Sequence, residues 1–385
     1  MKYLTDELVK SSNLQSFVNR IGILPNPDKI LRKSGHTYQV LRDLRNDSHV
    51  WSCLQSRKSG TLNLDYFIDS NNSEQKVMDF IEKTLAGINL NRIISEILDA
   101  PYFGFQVHEI IWQNDKSNPA KLTLKDIALR PQEIFAFDTN GKLIFKPVFG
   151  KESKLVPEYK FLLTTFEADL LNPYGNSLLS KCYWNVTFKN SCIRFWVNYM
   201  EKYGMPLLIG QYNRGATQAE SEKLAEALAE MTEDTVIVTP MDINIDIKEA
   251  ARNSSVELYR EMINHCNAEI SKTILSETLT TELHSGSFAA AQTHFRVRRE
   301  VIAADTKIVE NTINELIDYI VKINFGETIS PCFKFVINDS DNLNKIDRDI
   351  KLVNAGVKFT KDYWMRTYGL SADDFDLNQQ VNSID

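Results

Sequence analysis

Three long stretches of helical periodicity, separated by one compact insert and one polar break, constrain this chain more than any other feature. The first runs from Ser177 to Tyr203, opened by Asn172-Pro173-Tyr174-Gly175-Asn176-Ser177 and stopped by Gly204 and Pro206. At ~1.5 Å per residue it spans about 40 Å. Its aromatics Trp184, Phe188, Phe195, Tyr199 and Tyr203 recur at helical spacing and form one apolar stripe. A stripe of that length exceeds what one small domain can cover, so part of it is expected to face another copy. The second helix is expected over Val256–Leu275, after Ser254-Ser255. The third is expected over Phe288–Asn324, after a polar break at Thr280–Ser287, with Ile302, Val309, Ile313, Leu316 and Ile320 on one face. Between the first and second lies a small β-α-β-β unit: strand Leu207–Tyr212, charged helix Thr217–Met231, and strands Thr235–Thr239 and Ile243–Lys248.

The region before Asn172 reads as mixed short elements. Helices are expected at Asp6–Ile21, through His36–Lys58, from an N-cap at Ser73 to about Ala86, and at Leu90–Leu98. Leu62–Ile68 alternates as a strand. From Phe103 the period is two, with Phe105, Val107, Glu109 and Ile111 on one face and Gln106, His108, Ile110 and Trp112 on the other. Strands follow at Leu122–Leu129, Ile134–Asp138, Lys142–Lys146 and Phe161–Phe166, with a hairpin signal at Asp138-Thr139-Asn140-Gly141. This is an antiparallel β layer on helices. After the third long helix come a strand at Pro331–Asn338, a helix, the Phe359–Tyr368 segment and a polar tail. The expected fold class is α+β.

Composition matters for what it excludes. Among 385 residues, 44 Lys+Arg against 51 Asp+Glu give a net charge of −7, which argues against a DNA-gripping domain. It does not argue against a protein that handles DNA without gripping it. No apolar run approaches a membrane span, and the N-terminus carries acids where a secretory leader needs an apolar core. The five cysteines (Cys53, Cys182, Cys192, Cys266, Cys332) form no C-x-x-C pair and read as reduced structural thiols.

The search for chemistry finds none. His284 and His294 flank Gly286 without acidic or thiol ligands at zincin spacing, so no metal is expected. His108 on a strand reads as a satisfied structural or interface histidine. Gly286-Ser287 before a helix lacks the lysine and spaced glycines of a phosphate loop, so no cofactor is expected. There is no nucleophile elbow, and no catalytic residue is assigned. One basic cluster stands out: Arg296, Arg298 and Arg299. It reads either as a solvated face paired with Glu300 and Asp305, or as a DNA-facing or intersubunit position.

Several segments together resemble a known family. They are Asn172–Leu179 before a long helix; Tyr199-Met200-Glu201-Lys202-Tyr203-Gly204-Met205-Pro206; Glu269–Leu275; Thr278–Glu282; Gly286–Ala290; and His294-Phe295-Arg296-Val297-Arg298. In order and spacing, over about residues 90–325, the chain resembles the portal proteins of tailed bacteriophages, in particular the phage Mu-like branch. The resemblance implies a ring of about twelve subunits at one capsid vertex, the head–tail connector through which double-stranded DNA is packaged and ejected. It implies a wing over 1–171, a stem helix over 172–204, a clip over 205–253 and a second stem helix over 254–276. A tunnel loop over 277–287, a wing helix and strand over 288–340 and a small crown region over 341–385 complete the layout.

Site roles follow from the same resemblance. The tunnel loop Thr280, Thr281, Glu282, His284, Ser285, Gly286 and Ser287 would line the DNA channel, although a plain turn between two helices favours the same residue types. Clip residues Glu220, Glu222, Lys223, Glu226 and Glu230 would dock the terminase large subunit and later the connector or adaptor. Arg296, Arg298, Arg299, Trp184, Phe188 and Phe195 would brace neighbouring subunits. Major capsid and scaffolding proteins are further implied partners, the virion is the implied location, with host cytoplasm during assembly, and no membrane is involved. Twelve copies would carry roughly −84, which suits a conduit that must let a polyanion slide. A head–tail adaptor is an alternative ring-forming reading, and a nuclease would need clustered carboxylates that are not seen.

Overall fold

The computed structural model describes residues 23–33, 37–146, 154–203, 208–213, 215–229, 236–240, 252–278, 288–326, 328–336 and 342–368. The central element is an antiparallel sheet of three strands, with Phe105–Asn114 (β3) between Leu122–Arg130 (β4) and Phe161–Thr165 (β8). Both faces of β3 are covered. Phe105 and Val107 join one core with Tyr102, Phe137, Tyr174, Leu179 and Ile274. Ile110, on the other face, joins a second core with Ile93, Ile97, Leu162, Val309, Ile313 and Leu316. Each such side chain contributes about 1.5–3 kcal/mol when fully buried.

The first core also receives the small sheet Ile23–Leu24 (β1), Phe135–Asp138 (β5), Leu143–Phe145 (β6) and Lys154–Leu155 (β7). The Asp138–Gly141 hairpin forms as expected, with the Gly141 amide donating to the Asp138 carbonyl at 3.0 Å and Gly141 at φ 75°. A two-stranded ribbon, Tyr66–Asp69 (β2) on Cys332–Phe335 (β11), lies against the second core through Phe333 and Phe335.

Three expectations for the region before Leu90 need correcting. The His36–Lys58 helix is two helices, Tyr38–Asp43 (α1) and Ser48–Leu62 (α2), because the Asp47 carboxylate caps the second by accepting from the His49 and Val50 amides at 3.0 Å. The expected Leu62–Ile68 strand shortens to Tyr66–Asp69, since Leu62 ends that helix. Ser73 does not cap the next helix, Gln75–Ala86 (α3), whose N-cap position is Glu74 without a side-chain bond. Leu90–Ile97 (α4) and the single turn Ala100–Phe103 (α5) complete this region. The Asp6–Ile21 helix lies outside the described residues.

The long helices form at Leu178–Tyr203 (α6), Arg252–Leu275 (α8) and Phe288–Phe325 (α9). Ser254-Ser255 lies inside α8 rather than before it. In the insert, Leu208–Tyr212 (β9) and Val236–Pro240 (β10) pair in parallel around Gln218–Ala229 (α7). A Cβ on Gly210 of β9 would come within 2.6 Å of the Leu228 side chain, so glycine is what lets α7 sit close on the strands. The expected Ile243–Lys248 strand is outside the described residues. A second unit, from Val336 onward, holds Asn342–Asn354 (α10) and Lys361–Tyr368 (α11), where the buried Asp349 carboxylate accepts from the Tyr363 and Tyr368 hydroxyls at 3.0 and 2.8 Å.

Candidate functional site

The start signal before α6 is a tightly built backbone crossing. Gly104 and Gly175 have φ of 94° and 71°, and a Cβ on Gly175 would strike the Gly104 and Phe166 carbonyl oxygens. Those oxygens are engaged: the Phe166 amide donates to Gly104 and the Asn176 amide to Phe166, each at 2.8 Å. Around the crossing, Asn172 Nδ2 donates to the Gly175 carbonyl at 2.8 Å and the Tyr174 hydroxyl to the Leu24 carbonyl at 2.8 Å. Ser177 Oγ accepts from the Ser180 amide at 3.0 Å, so Ser177 caps α6 while donating to the Tyr102 carbonyl at 2.7 Å. The motif fixes the direction in which α6 leaves the core.

Helices α6 and α8 are antiparallel partners. Lys189 Nζ donates to Asn267 Oδ1 at 3.0 Å, Cys192 Sγ to the Tyr259 carbonyl at 3.5 Å, and the Tyr199 and Tyr259 rings lie 6.2 Å apart. Leu178, Leu179, Cys182, Val186, Lys189 and Cys192 form the buried face of α6, matched by Cys266, Ile270, Ser271, Ile274 and Leu275 of α8. Lys189 also pairs with Asp47, both side chains buried, so the carboxylate that caps α2 is also the counter-ion of α6. Burial pushes the Cys182 thiol up to about 12, consistent with an inert packing role.

The outer face carries an open aromatic stripe. Trp184, Phe188 and Phe195 are 46%, 48% and 60% exposed, and Trp184 and Phe188 stack at 5.6 Å with Lys33 Nζ 4.5 Å above the Trp184 ring. Beyond Cys192 and before Cys266, neither helix has a buried side chain among the described residues. Ile193, Val197 and Met200 of α6 and Leu258 of α8 are exposed there, so the far half of the pair presents apolar side chains to the outside.

The arginine cluster divides. Arg296 is exposed and makes an i,i+4 pair with Glu300 at 3.7 Å. Half-buried Arg298 instead donates to the Ser56 carbonyl of the same chain at 3.1 Å, and Arg299 is exposed. Asp305, the other acid expected beside this cluster, pairs with Arg57. It is buried against Arg57, which donates to both its oxygens at 2.8 Å and to the Ile274 carbonyl at 2.8 Å. This three-way tie of α2, α8 and α9 was invisible in the sequence, as were Asp47 and Lys189.

On α7, Glu220, Glu222, Lys223 and Glu226 are exposed, while Leu224 and Leu228 turn to the strands. Glu220 closes a capping box, accepting from the Thr217 amide at 2.8 Å, and this bond holds its carboxyl below the usual range. The Glu230 side chain, and Thr280, Thr281, Glu282, His284, Ser285, Gly286 and Ser287, lie outside the described residues. His108 is fully buried, with Glu96 Oε2 3.5 Å from Nε2, and neither ring nitrogen makes a well-formed hydrogen bond among the described residues. No cluster of three metal-ligating side chains occurs among the described residues, and no described helix is long and apolar enough to cross a membrane.

A family profile described as the portal protein of Mu bacteriophage matches residues 38–370. The portal protein of Escherichia phage Mu is 30% identical over 189 residues, 48% of this chain and 37% of that protein. The Mu-like prophage FluMu protein gp29 of Haemophilus influenzae is 26% identical over 335 residues, 82% of this chain and 63% of that protein. The chain thus spans between about a third and two thirds of the length of these relatives. A chain from the neck of a native gene transfer agent particle, computed with C12 symmetry, has the same fold at a TM-score of 0.56 and 10% identity, covering 86% of this chain and 93% of its own.

Proposed function

The chain belongs to the family of Mu bacteriophage portal proteins, and from that membership we propose that it assembles into a closed ring at one capsid vertex. The ring is a non-enzymatic conduit for double-stranded DNA and the docking site for the packaging terminase and the tail connector. The observation that carries this reading is the exposed aromatic stripe on α6, on a helix pair whose far half has no buried side chain among the described residues. Such a face in a monomer is a liability, and in a ring it is an interface. The twelve-fold symmetry of the structurally similar neck supports a ring of that order. In this reading α6 and α8 are the stem, the β9-α7-β10 unit is the clip, and residues 277–287 are the tunnel loop. The region 1–171 with α9 and β11 is the wing, and the second unit is the crown. Arg296 and Arg299, on the exposed side of α9, brace the neighbouring subunit, whereas Arg298 is spent within its own chain.

Mass photometry and negative-stain imaging test the ring directly. The protein is expected to form particles of roughly twelve subunits with a central hole, and Trp184→Glu with Phe188→Glu is expected to convert them to monomers of unchanged circular dichroism. Monomers of the unaltered chain at every salt and protein concentration would overturn the reading.

The clip makes a separate prediction. Neutralising Glu222, Lys223 and Glu226, which lie on the exposed side of α7, is expected to leave ring mass unchanged while weakening terminase pull-down. If the rings dissociate instead, α7 is an assembly element.

A further inference from the structure

The β2–β11 ribbon has two unlike edges. Along the outer side of β11, helix α9 covers the backbone. The Phe333 amide donates to Asn314 Oδ1 at 2.7 Å, Asn314 Nδ2 donates to the Phe333 carbonyl at 3.2 Å, and the Phe335 amide donates to Glu310 Oε1 at 2.8 Å. Because alternate residues of a strand turn their backbone groups to opposite sides, Cys332 and Lys334 must face β2, opposite Asp69 and Phe67. Tyr66 and Ile68 then direct their amides and carbonyls away from the ribbon. Among the described residues no hydrogen bond meets them, and no third strand joins the ribbon.

That bare edge borders a groove of about 410 Å³ lined by Leu85, Ile88, Leu90 and Glu82. Tyr66, which lines it, is 43% exposed, and Phe67 on the other face of the strand is 47% exposed. Glu82 in the groove lining and Asp65, the residue before β2, are exposed and enter no ion pair among the described residues, so acids lie at this edge. An uncovered edge next to apolar pockets is the form that takes an added strand.

A fitting edge occurs elsewhere in the same chain. Strand β7, Lys154–Leu155, is the outermost of the β1-β5-β6-β7 sheet. Leu155 is 60% exposed, and Lys154 is exposed with no ion-pair partner among the described residues. The two edges are different surfaces, one beside the exposed Asp65 and Glu82 and the other carrying the exposed Lys154, so their pairing between copies is head-to-tail, a contact that closes a ring where the rotation permits. We propose that the bare edge of β2 takes the β7 edge of a neighbouring copy, merging ribbon and sheet into one sheet across each subunit boundary. This rests on the ring reading above, and it adds a wing contact to the stem contact at Trp184 and Phe188.

The test uses assembled protein with Phe67→Cys and Leu155→Cys in a Cys332→Ser background. Oxidation is expected to give a ladder of covalent multimers on a denaturing gel, with Phe67→Cys or Leu155→Cys alone running as monomer because the four remaining native cysteines are buried. Adding Ile68→Pro removes one outward amide while leaving the β11 bonds of Phe67 and Asp69 intact, and is expected to lower the ladder yield about fivefold to tenfold. Rings of normal mass that give no ladder overturn this contact and leave the ring reading standing. Failure to find rings by mass photometry overturns the ring reading, and this contact with it.

Discussion

Gly175→Ala is expected to destabilise the protein by about 3–5 kcal/mol, far beyond the effect of an ordinary surface substitution. Holding an alanine at φ 71° costs about 1–2 kcal/mol by itself. The remainder comes from collision, because the new Cβ would meet the Gly104 and Phe166 carbonyl oxygens. Either oxygen can retreat only by stretching the bond it accepts, from the Phe166 or the Asn176 amide. Gly141→Ala is the control. Gly141 also has positive φ, 75°, but its added Cβ would find only the Pro173 side chain, at 3.9 Å. It is expected to cost about 1–2 kcal/mol, the conformational part alone. Urea unfolding of both variants, compared at equal m-value, decides the matter. Equal losses would show that the backbone crossing is looser than its geometry implies. Gly104→Ala touches the same crossing, so combining it with Gly175→Ala is expected to cost less than the two single losses added.

The same crossing shows how far the sequence could be read. Asn172-Pro173-Tyr174-Gly175-Asn176-Ser177 announces a helix start, and Ser177 is the cap. That the glycine faces a second glycine 71 residues earlier cannot be seen from local pattern. The long helices were legible because their apolar spacing persists over many turns: Val309, Ile313, Leu316 and Ile320 are all fully buried, as their period requires. The break at Asp47 was not, because a short 3-10 turn at Leu44–Asn46 keeps Leu41, Val50 and Leu54 nearly in phase across it. Ser73 failed as a cap because a suitable residue before an apolar run is a preference, and here the helix starts without a side-chain bond. The stripe at Trp184, Phe188 and Phe195 was visible as a pattern, yet spacing alone does not tell a core face from an interface. Exposure does. Buried ion pairs such as Arg57 with Asp305, separated by 248 positions, leave no local signature at all.

Arg57→Met is expected to cost about 3–5 kcal/mol, since it strands the Asp305 carboxylate in a buried site without its counter-ion. Asp305→Asn is expected to be costly in the same way, because the guanidinium loses its bidentate partner. Arg57→Met with Asp305→Leu removes both charges at once and is expected to recover most of that loss. What remains, about 0.5–1.5 kcal/mol, is the bond from Arg57 to the Ile274 carbonyl near the end of α8. Helices α2 and α9 pack closely beside the pair, where a Cβ on Gly60 of α2 would lie 2.5 Å from Ile302 of α9, so apolar replacements would meet packed side chains. A double-mutant cycle by chemical denaturation measures the coupling. A double variant as unstable as the two single losses added would mean that the charges themselves hold α2, α8 and α9 together. A near-neutral double variant would instead assign the pair to specificity, fixing which turn of α9 meets the end of α8. In a ring, that register sets how the stem pair meets the helix that follows residues 277–287, so the double variant is also expected to form rings less uniform in subunit number than the parent, as read by mass photometry.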